Sequence, residues 1–95
     1  MKLFELGQTL ITPNALDFCE ANPGVDIPKL LERHQSGDWG DMSAHDKKQN
    51  NAAVQNGARI FSAYRFQTGR IWIVTEAMGD DGKRASTCVL LPEDY

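Results

Sequence analysis

The last third of the chain constrains the fold most, because β-branched and aromatic residues there are interrupted by turn-forming residues. The pattern predicts strands at about 59–66, 70–77 and 85–91. A tight hairpin turn at 67–69 joins the first two strands, and a looser connection at 78–84 joins the second to the third. Consecutive strands with such connections are typical of an antiparallel meander.

The earlier part of the chain predicts one strand and three helices. The strand is expected at 6–11, and the helices at about 14–21, 26–36 and 43–57, each delimited by capping side chains, prolines or glycines. Residues 1–95 are therefore predicted to form a single α+β domain with the order β-α-α-α-β-β-β. Its helices would pack on one face of a small, mainly antiparallel sheet.

The middle strand of the meander is apolar on both sides. Side chains alternate between the two faces of a strand. One face receives Ile71, Ile73 and Thr75, and the other receives Trp72, Val74 and Glu76. Because three short helices can cover only one face, we expect the other to be thinly covered or to contact a protein partner, including a second copy of the chain in a homodimer.

The composition is that of an ordinary globular domain, with 41% apolar and 24% charged residues. No apolar run approaches the roughly 20 residues of a membrane-spanning helix, and the first residues do not form a signal peptide. We therefore expect a cytoplasmic protein without a membrane partner. The net charge of −3 gives too little positive charge to attract nucleic acid without a local basic patch.

The cysteine and acidic residues do not have the spacing of a metal site. Cys19 and Cys88 are far apart in the sequence, so two free thiols are expected. The spacing of Asp38, Asp41 and Asp46 does not match a calcium-binding loop. We predict no metal ion and no cofactor.

Segment 33–41 combines ionisable side chains with two glycines and a tryptophan. His34 and Asp38 could supply a catalytic base and a carboxylate that orients it. However, helical spacing places His34 on the apolar stripe of the second helix, which favours a packed histidine. Asp38 fits a turn, and Trp39 fits a core position between the second and third helices. We therefore interpret His34, Asp38 and Trp39 as structural residues.

Cationic and aromatic residues in the meander supply the candidate binding residues. These are Tyr64, Arg65, Arg70, Trp72 and Glu76. Arginine pairs with phosphate and aromatic rings stack on bases, so the set also fits a small RNase-like toxin or a nucleic-acid-binding domain. Catalysis would need an acid and a base near one phosphate, for which the candidates are His34, Arg65 and Glu76. No known catalytic motif accompanies them.

Three further patterns carry a resemblance over nearly the whole chain. They are R-H-Q-S-G-D-W-G-D at 33–41, T-E-A at 75–77 and L-L-P-E-D-Y at 90–95. With them the chain resembles a group of small bacterial proteins found on plasmids, integrative elements and phages, usually called plasmid-related proteins. The resemblance implies a mobile genetic element as the setting, and no particular mechanism.

Our first functional hypothesis combines this setting with the missing catalytic motif. It is a non-enzymatic, protein-binding accessory protein of a bacterial mobile genetic element, such as an inhibitor of a host defence nuclease or a regulator. The alternative hypothesis is the RNase-like toxin or nucleic-acid-binding domain.

Overall fold

The computed structural model describes residues 1–95 in full and contains three α-helices and a four-stranded sheet. In chain order, the elements are β1 (Gln8–Ile11), α1 (Pro13–Ala21), α2 (Ile27–Gln35), α3 (Ala44–Asn56), β2 (Ile60–Phe66), β3 (Gly69–Thr75) and β4 (Ser86–Leu90). A 3₁₀ turn, Pro92–Asp94, follows β4. The α+β class and the order β-α-α-α-β-β-β are those predicted from the sequence.

Capping side chains set where the helices begin. An N–H group in the first turn of each helix donates to a side chain that precedes the helix: Thr12 for α1, Asp26 for α2 and Ser43 for α3. Helix α3 ends at Gly57, whose φ of 81° is in the left-handed region. None of the three helices combines the length and the apolar character needed to cross a bilayer.

The strands lie in the order β1-β4-β3-β2. Strands β2, β3 and β4 form the predicted antiparallel meander. Strand β1 pairs with β4 in the parallel direction, so the sheet is mixed. The side-chain pattern of 6–11 indicates a strand but not its neighbour or direction, because the pairing joins residues about 80 positions apart in the sequence.

Helices α1 and α2 cover one face of the sheet and form the main core with it. This core comprises Ala15, Leu30, Tyr64, Ile71, Ile73, Val89 and Leu91. A smaller cluster joins the N-terminal segment and α3 to the start of β2, and comprises Phe4, Trp39, Ala53 and Ile60. The outer edge of β2 therefore lies beside α3.

The side chain of Asn50 in α3 makes the hydrogen bonds that a neighbouring strand would otherwise make with the edge strand β2. Its side-chain Nδ2 donates to the carbonyl of Phe61 at 2.6 Å, and its Oδ1 accepts from the Phe61 backbone N–H at 3.1 Å. Both outward backbone groups of Phe61 are thus paired. Asn50 is only 4% exposed, so these bonds lie largely away from water.

A short backbone segment protects the same edge further along. The N–H of Ala63 donates to the Trp39 carbonyl at 3.1 Å, and the Asp41 N–H donates to the Ala63 carbonyl at 2.6 Å. The Asp41 carboxylate then accepts from the Arg65 N–H at 2.8 Å. Residues 39–41 thus act as a fifth, very short strand, which covers an edge that would otherwise be open to other chains.

Replacing Asn50 by alanine is expected to destabilise the fold by about 2 kcal/mol. The substitution leaves the outward N–H and C=O of Phe61 without partners beside α3. Denaturant unfolding measures the loss. Gln55→Ala on the same helix is the matched control, because Gln55 is exposed and its side chain makes no hydrogen bond. Equal stability of the two variants would contradict the role of Asn50.

Candidate functional site

The face of the sheet opposite α1 and α2, which we call the open face, carries the candidate binding residues other than Tyr64. The strand registers place on it Phe61, Ala63, Arg65, Arg70, Trp72, Val74, Cys88 and Leu90, with Leu10 at the β1 edge. No helix of the chain joins the core from this side. The face is instead covered in part by the C-terminal residues.

Three aromatic rings form one apolar cluster on the open face. The ring centroids of Phe61 and Trp72 are 4.9 Å apart, and Tyr95 lies 5.9 Å from Phe61 and 5.7 Å from Trp72. All three contacts are edge-to-face, the geometry that aromatic quadrupoles favour. The Tyr95 hydroxyl also accepts a hydrogen bond from Arg59 at 2.7 Å. Tyr95 is nevertheless 66% exposed, so the cluster is accessible from solvent.

Two arginines stand side by side at one end of this face. Arg65 of β2 is directly opposite Arg70 of β3 in the register, and both are exposed. Neither forms a salt bridge; the one ion pair of the chain joins Arg33 and Asp38. Like charges directly opposite each other on a sheet are destabilising. The pair forms a small basic patch in which neither guanidinium makes a salt bridge.

Asp94 anchors the C-terminal segment that brings Tyr95 onto the face. Its carboxylate accepts hydrogen bonds from the Thr12 hydroxyl at 2.6 Å, the Asn14 amide at 2.7 Å and the Leu91 N–H at 3.0 Å. These bonds, that from Thr12 most of all, hold the pKa of Asp94 below its ordinary value. The segment is thereby tied to the start of α1.

Asp94→Asn is expected to release Tyr95 from Trp72, because an amide cannot accept all three hydrogen bonds. The indole N–H resonance of Trp72 in an NMR spectrum should shift towards that of a more exposed ring. Glu93→Gln is the matched control, since Glu93 is exposed and makes no side-chain hydrogen bond. The same release is expected in the wild-type chain at pH values below the depressed pKa of Asp94. A Trp72 resonance that does not shift in Asp94→Asn would contradict the proposed role of Asp94 in holding Tyr95.

His34 lies in a buried hydrogen-bond chain on the helix-covered side. Its Nδ1 is 2.5 Å from Ser62 Oγ, and its Nε2 is 2.8 Å from Thr75 Oγ1. Thr75 continues to Thr87 Oγ1 at 2.7 Å, and Thr87 donates to the carbonyl of Leu6 at 2.7 Å. His34, Ser62, Thr75 and Thr87 are all 0% exposed.

The direction of these hydrogen bonds fixes the tautomer of His34. The Leu6 carbonyl can only accept a hydrogen bond, so Thr87 donates to it and accepts from Thr75. The Thr75 oxygen must then accept from His34 Nε2–H, which leaves Nδ1 to accept from Ser62. Burial, assisted by the positive charge of Arg84, lowers the pKa of His34 to about 3. Both ring nitrogens are occupied, so His34 has no free nitrogen to act as a base.

His34, Arg65 and Glu76 are not brought together. His34 is buried on the side of α2, whereas Arg65 and Glu76 are exposed and, by alternation, belong to the open face. Along the sheet, Arg65 is level with Arg70, and Glu76 is six residues further along the same strand direction. At about 3.3 Å per residue this separates the two backbone positions by roughly 20 Å.

Tyr64 does not belong to the open face, although the sequence suggested it as a binding residue. It alternates with Ala63 and Arg65, and it is 2% exposed in the main core. Its hydroxyl donates to the Asp38 carbonyl at 2.8 Å, and the Arg33 guanidinium lies 4.6 Å from its ring centroid. Burial raises the pKa of Tyr64 to about 12.

Asp38 and Trp39 hold the corner between α2 and α3. The Asp38 carboxylate accepts from Arg33 Nε at 2.6 Å, which lowers the pKa of Asp38. The Trp39 ring is 3% exposed, contacts Phe4 and His34, and donates from Nε1 to Asn51 at 3.0 Å. Since the Arg33–Asp38 pair is half exposed, we expect it to contribute at most about 1 kcal/mol.

Comparison of the chain with protein-family models, with curated proteins and with solved structures gave no match. The geometry of the side chains is therefore the basis for assigning a function. No three His, Cys, Asp or Glu side chains gather in a way that could hold a metal ion. Cys19 and Cys88 are both free thiols, and burial raises the pKa of each.

Sequence reasoning missed two residues with large structural roles. Arg84 is 5% exposed and donates to the carbonyls of Ala53, Ala58 and Glu76 at 2.7–3.0 Å, which joins the end of α3 to β3. Nothing in a polar turn distinguishes such an arginine from a solvated one. Tyr95 was missed as part of the site because its neighbours on the open face are distant in the sequence.

Proposed function

We propose that this chain is a non-enzymatic protein-binding protein that uses the open face to bind an acidic surface on its partner. The observation that carries this proposal is the position of Arg65 and Arg70, neither of which makes a salt bridge, beside the aromatic cluster in which Tyr95 is exposed. Arginine, tryptophan and tyrosine are the residues that most often dominate binding energy in protein interfaces. Carboxylates on the partner would form the salt bridges that the two guanidinium groups do not form within the chain.

The arrangement of the aromatic rings favours a protein over RNA as the partner. Single-stranded nucleic acid binds to aromatic rings whose faces are free to stack on bases. Here Phe61, Trp72 and Tyr95 pack against one another edge to face and form a single apolar cluster. The net charge of −3 also opposes phosphate binding beyond the local patch.

The resemblance to plasmid-related proteins leads us to propose a partner in the bacterial host. Within that setting, the chain would act by occupying the partner's surface, either as an inhibitor of a host defence nuclease or as a regulator. The separation of His34, Arg65 and Glu76 supports binding over catalysis, because general acid–base chemistry needs its groups at one reacting atom.

Capture from a nuclease-treated bacterial lysate tests this function. The bait is the wild-type chain, the double variant Arg65→Glu/Arg70→Glu, or the control Lys47→Glu/Lys48→Glu. The control makes the same change in charge on the exposed residues of α3. We expect one protein on the wild-type and control baits, and about tenfold less of it on the first double variant. Equal recovery on all three baits, or recovery of RNA alone from an untreated lysate, would overturn the proposal.

A further inference from the structure

The two outer edges of the sheet differ in how their backbone groups are satisfied. Along β2, the outward groups of Phe61 and Ala63 and the N–H of Arg65 are hydrogen-bonded by Asn50 and by residues 39–41. Along β1, at the opposite edge, no such cover exists. One edge is thus closed to other strands and the other is open.

The alternation of the backbone shows which groups of β1 are free. The N–H groups of Gln8 and Thr12 donate to carbonyls on the β4 side at 3.0 Å each. In a strand, the N–H and C=O groups of successive residues point to alternate sides, so Leu10 also faces β4. Thr9 and Ile11 therefore direct their backbone groups outward, and neither residue has a hydrogen bond on that side.

Apart from its short length of four residues, strand β1 lacks the devices that protect exposed edges. Its sequence, Gln-Thr-Leu-Ile, contains no charge and no proline, and all four residues are exposed. Leu10 is 44% and Ile11 is 38% exposed, and Leu16 on the adjacent helix α1 is 46% exposed. An uncharged and unpaired edge with exposed apolar side chains is a site for pairing with another strand.

We infer that β1 is the contact through which two copies of this chain form a dimer. In an antiparallel pair centred on Leu10, Thr9 of each copy lies opposite Ile11 of the other. All the outward N–H and C=O groups of β1 then bond to one another, and none is left over. The contact is self-complementary, as a two-fold interface requires.

The absence of charge on β1 favours a second copy as its occupant. A strand without acidic or basic residues meets its own copy without like-charge repulsion, whereas it offers no counter-charge to select a charged partner. At the two-fold axis the Leu10 side chains of both copies adjoin on the open face, since Leu10 is level with Cys88 there. The dimer is a continuous sheet that presents the open face of each copy on the same side.

Sedimentation velocity over a wide range of concentrations tests this dimer, with two variants and one control. Leu10→Lys places like charges opposite each other at the axis, and Thr9→Pro removes an outward N–H that β4 does not use. Gln55→Lys is the control, since it adds the same charge at an exposed position of α3, which lies beside β2 at the opposite edge of the sheet. We expect the wild-type chain and the control to dimerise, and each β1 variant to dimerise at least about tenfold more weakly.

Amide hydrogen exchange separates this contact from one through the open face. Raising the concentration should slow exchange at Thr9 and Ile11 and leave Leu10, which is bonded to β4, unchanged. Unfolding curves show whether Thr9→Pro folds. Leu10→Lys tests dimerisation without removing a backbone N–H group. A wild-type chain that stays monomeric throughout, or a dimer that both β1 variants retain, would overturn the inference.

Discussion

Acidification from pH 6.5 towards pH 3 is expected to destabilise the fold by up to about 5 kcal/mol through His34 alone. The pKa of this histidine is lowered from 6.5 to about 3, so the unfolded chain takes up a proton in this window and the folded chain does not. The free energy of unfolding is therefore unaffected by His34 above about pH 6.5, and it falls by about 1.4 kcal/mol per pH unit below that pH. Such a loss is comparable with the whole stability of a marginal domain.

Denaturant unfolding at a series of pH values measures this slope. The range from pH 6.5 to about 5 is the most informative, because carboxylates titrate mainly below it. His34→Gln should remove most of the slope, whereas His45→Gln, at the exposed histidine, should keep it. As a second measurement that does not need a variant, the imidazole ¹⁵N shifts of His34 should report the neutral Nε2–H form at pH 5. A protonated His34 at that pH would contradict the buried hydrogen bonds of its neutral ring with Ser62 and Thr75.

Gly40→Ala is expected to destabilise the fold by about 4 kcal/mol. Gly40 has a φ of 74°, and a Cβ atom there would lie only 2.1 Å from the Ala63 carbonyl oxygen and 2.7 Å from the Tyr64 ring. The added methyl group would combine left-handed strain with displacement of residues 39–41 from the edge of β2. The exposed edge should also make the variant prone to aggregation.

Gly24→Ala is the matched control for this substitution. A Cβ atom at Gly24 meets no heavy atom within 4 Å, and its backbone is not left-handed. Its free energy of unfolding should therefore stay within about 0.5 kcal/mol of the wild-type value or rise slightly. If Gly40→Ala were as stable as Gly24→Ala, residues 39–41 would not be the required cover of β2.

The sequence predicts those parts of the fold that depend on local chemistry. Capping residues such as Thr12 and Ser43 and the alternation within β3 specify the elements and their order. The parallel pairing of β1 and the strand-like pairing of Gly40 with Ala63 depend on contacts between distant residues. A local pattern carries no record of these contacts, so it could not predict them.

The candidate site was predictable to a similar extent. Alternation along β3 identifies Trp72 and Arg70 as residues of a second face. The covering of that face by Tyr95 depends on the three hydrogen bonds of Asp94, which join opposite ends of the chain. Tyr64 was assigned to the binding residues for its side-chain type, and its position one residue from Arg65 places it on the other face.

Site-specific photo-crosslinking in bacterial cells most directly tests whether the open face binds a protein. A photo-crosslinking residue replaces Arg70 on the open face in one variant and Lys48 on α3 in another, both of which are exposed positions. Arg65 remains in place to retain part of the basic patch. We expect one discrete protein adduct from position 70 and none from position 48. An equal yield of adducts from both positions, or no protein adduct from position 70, would contradict a protein-binding role for the open face.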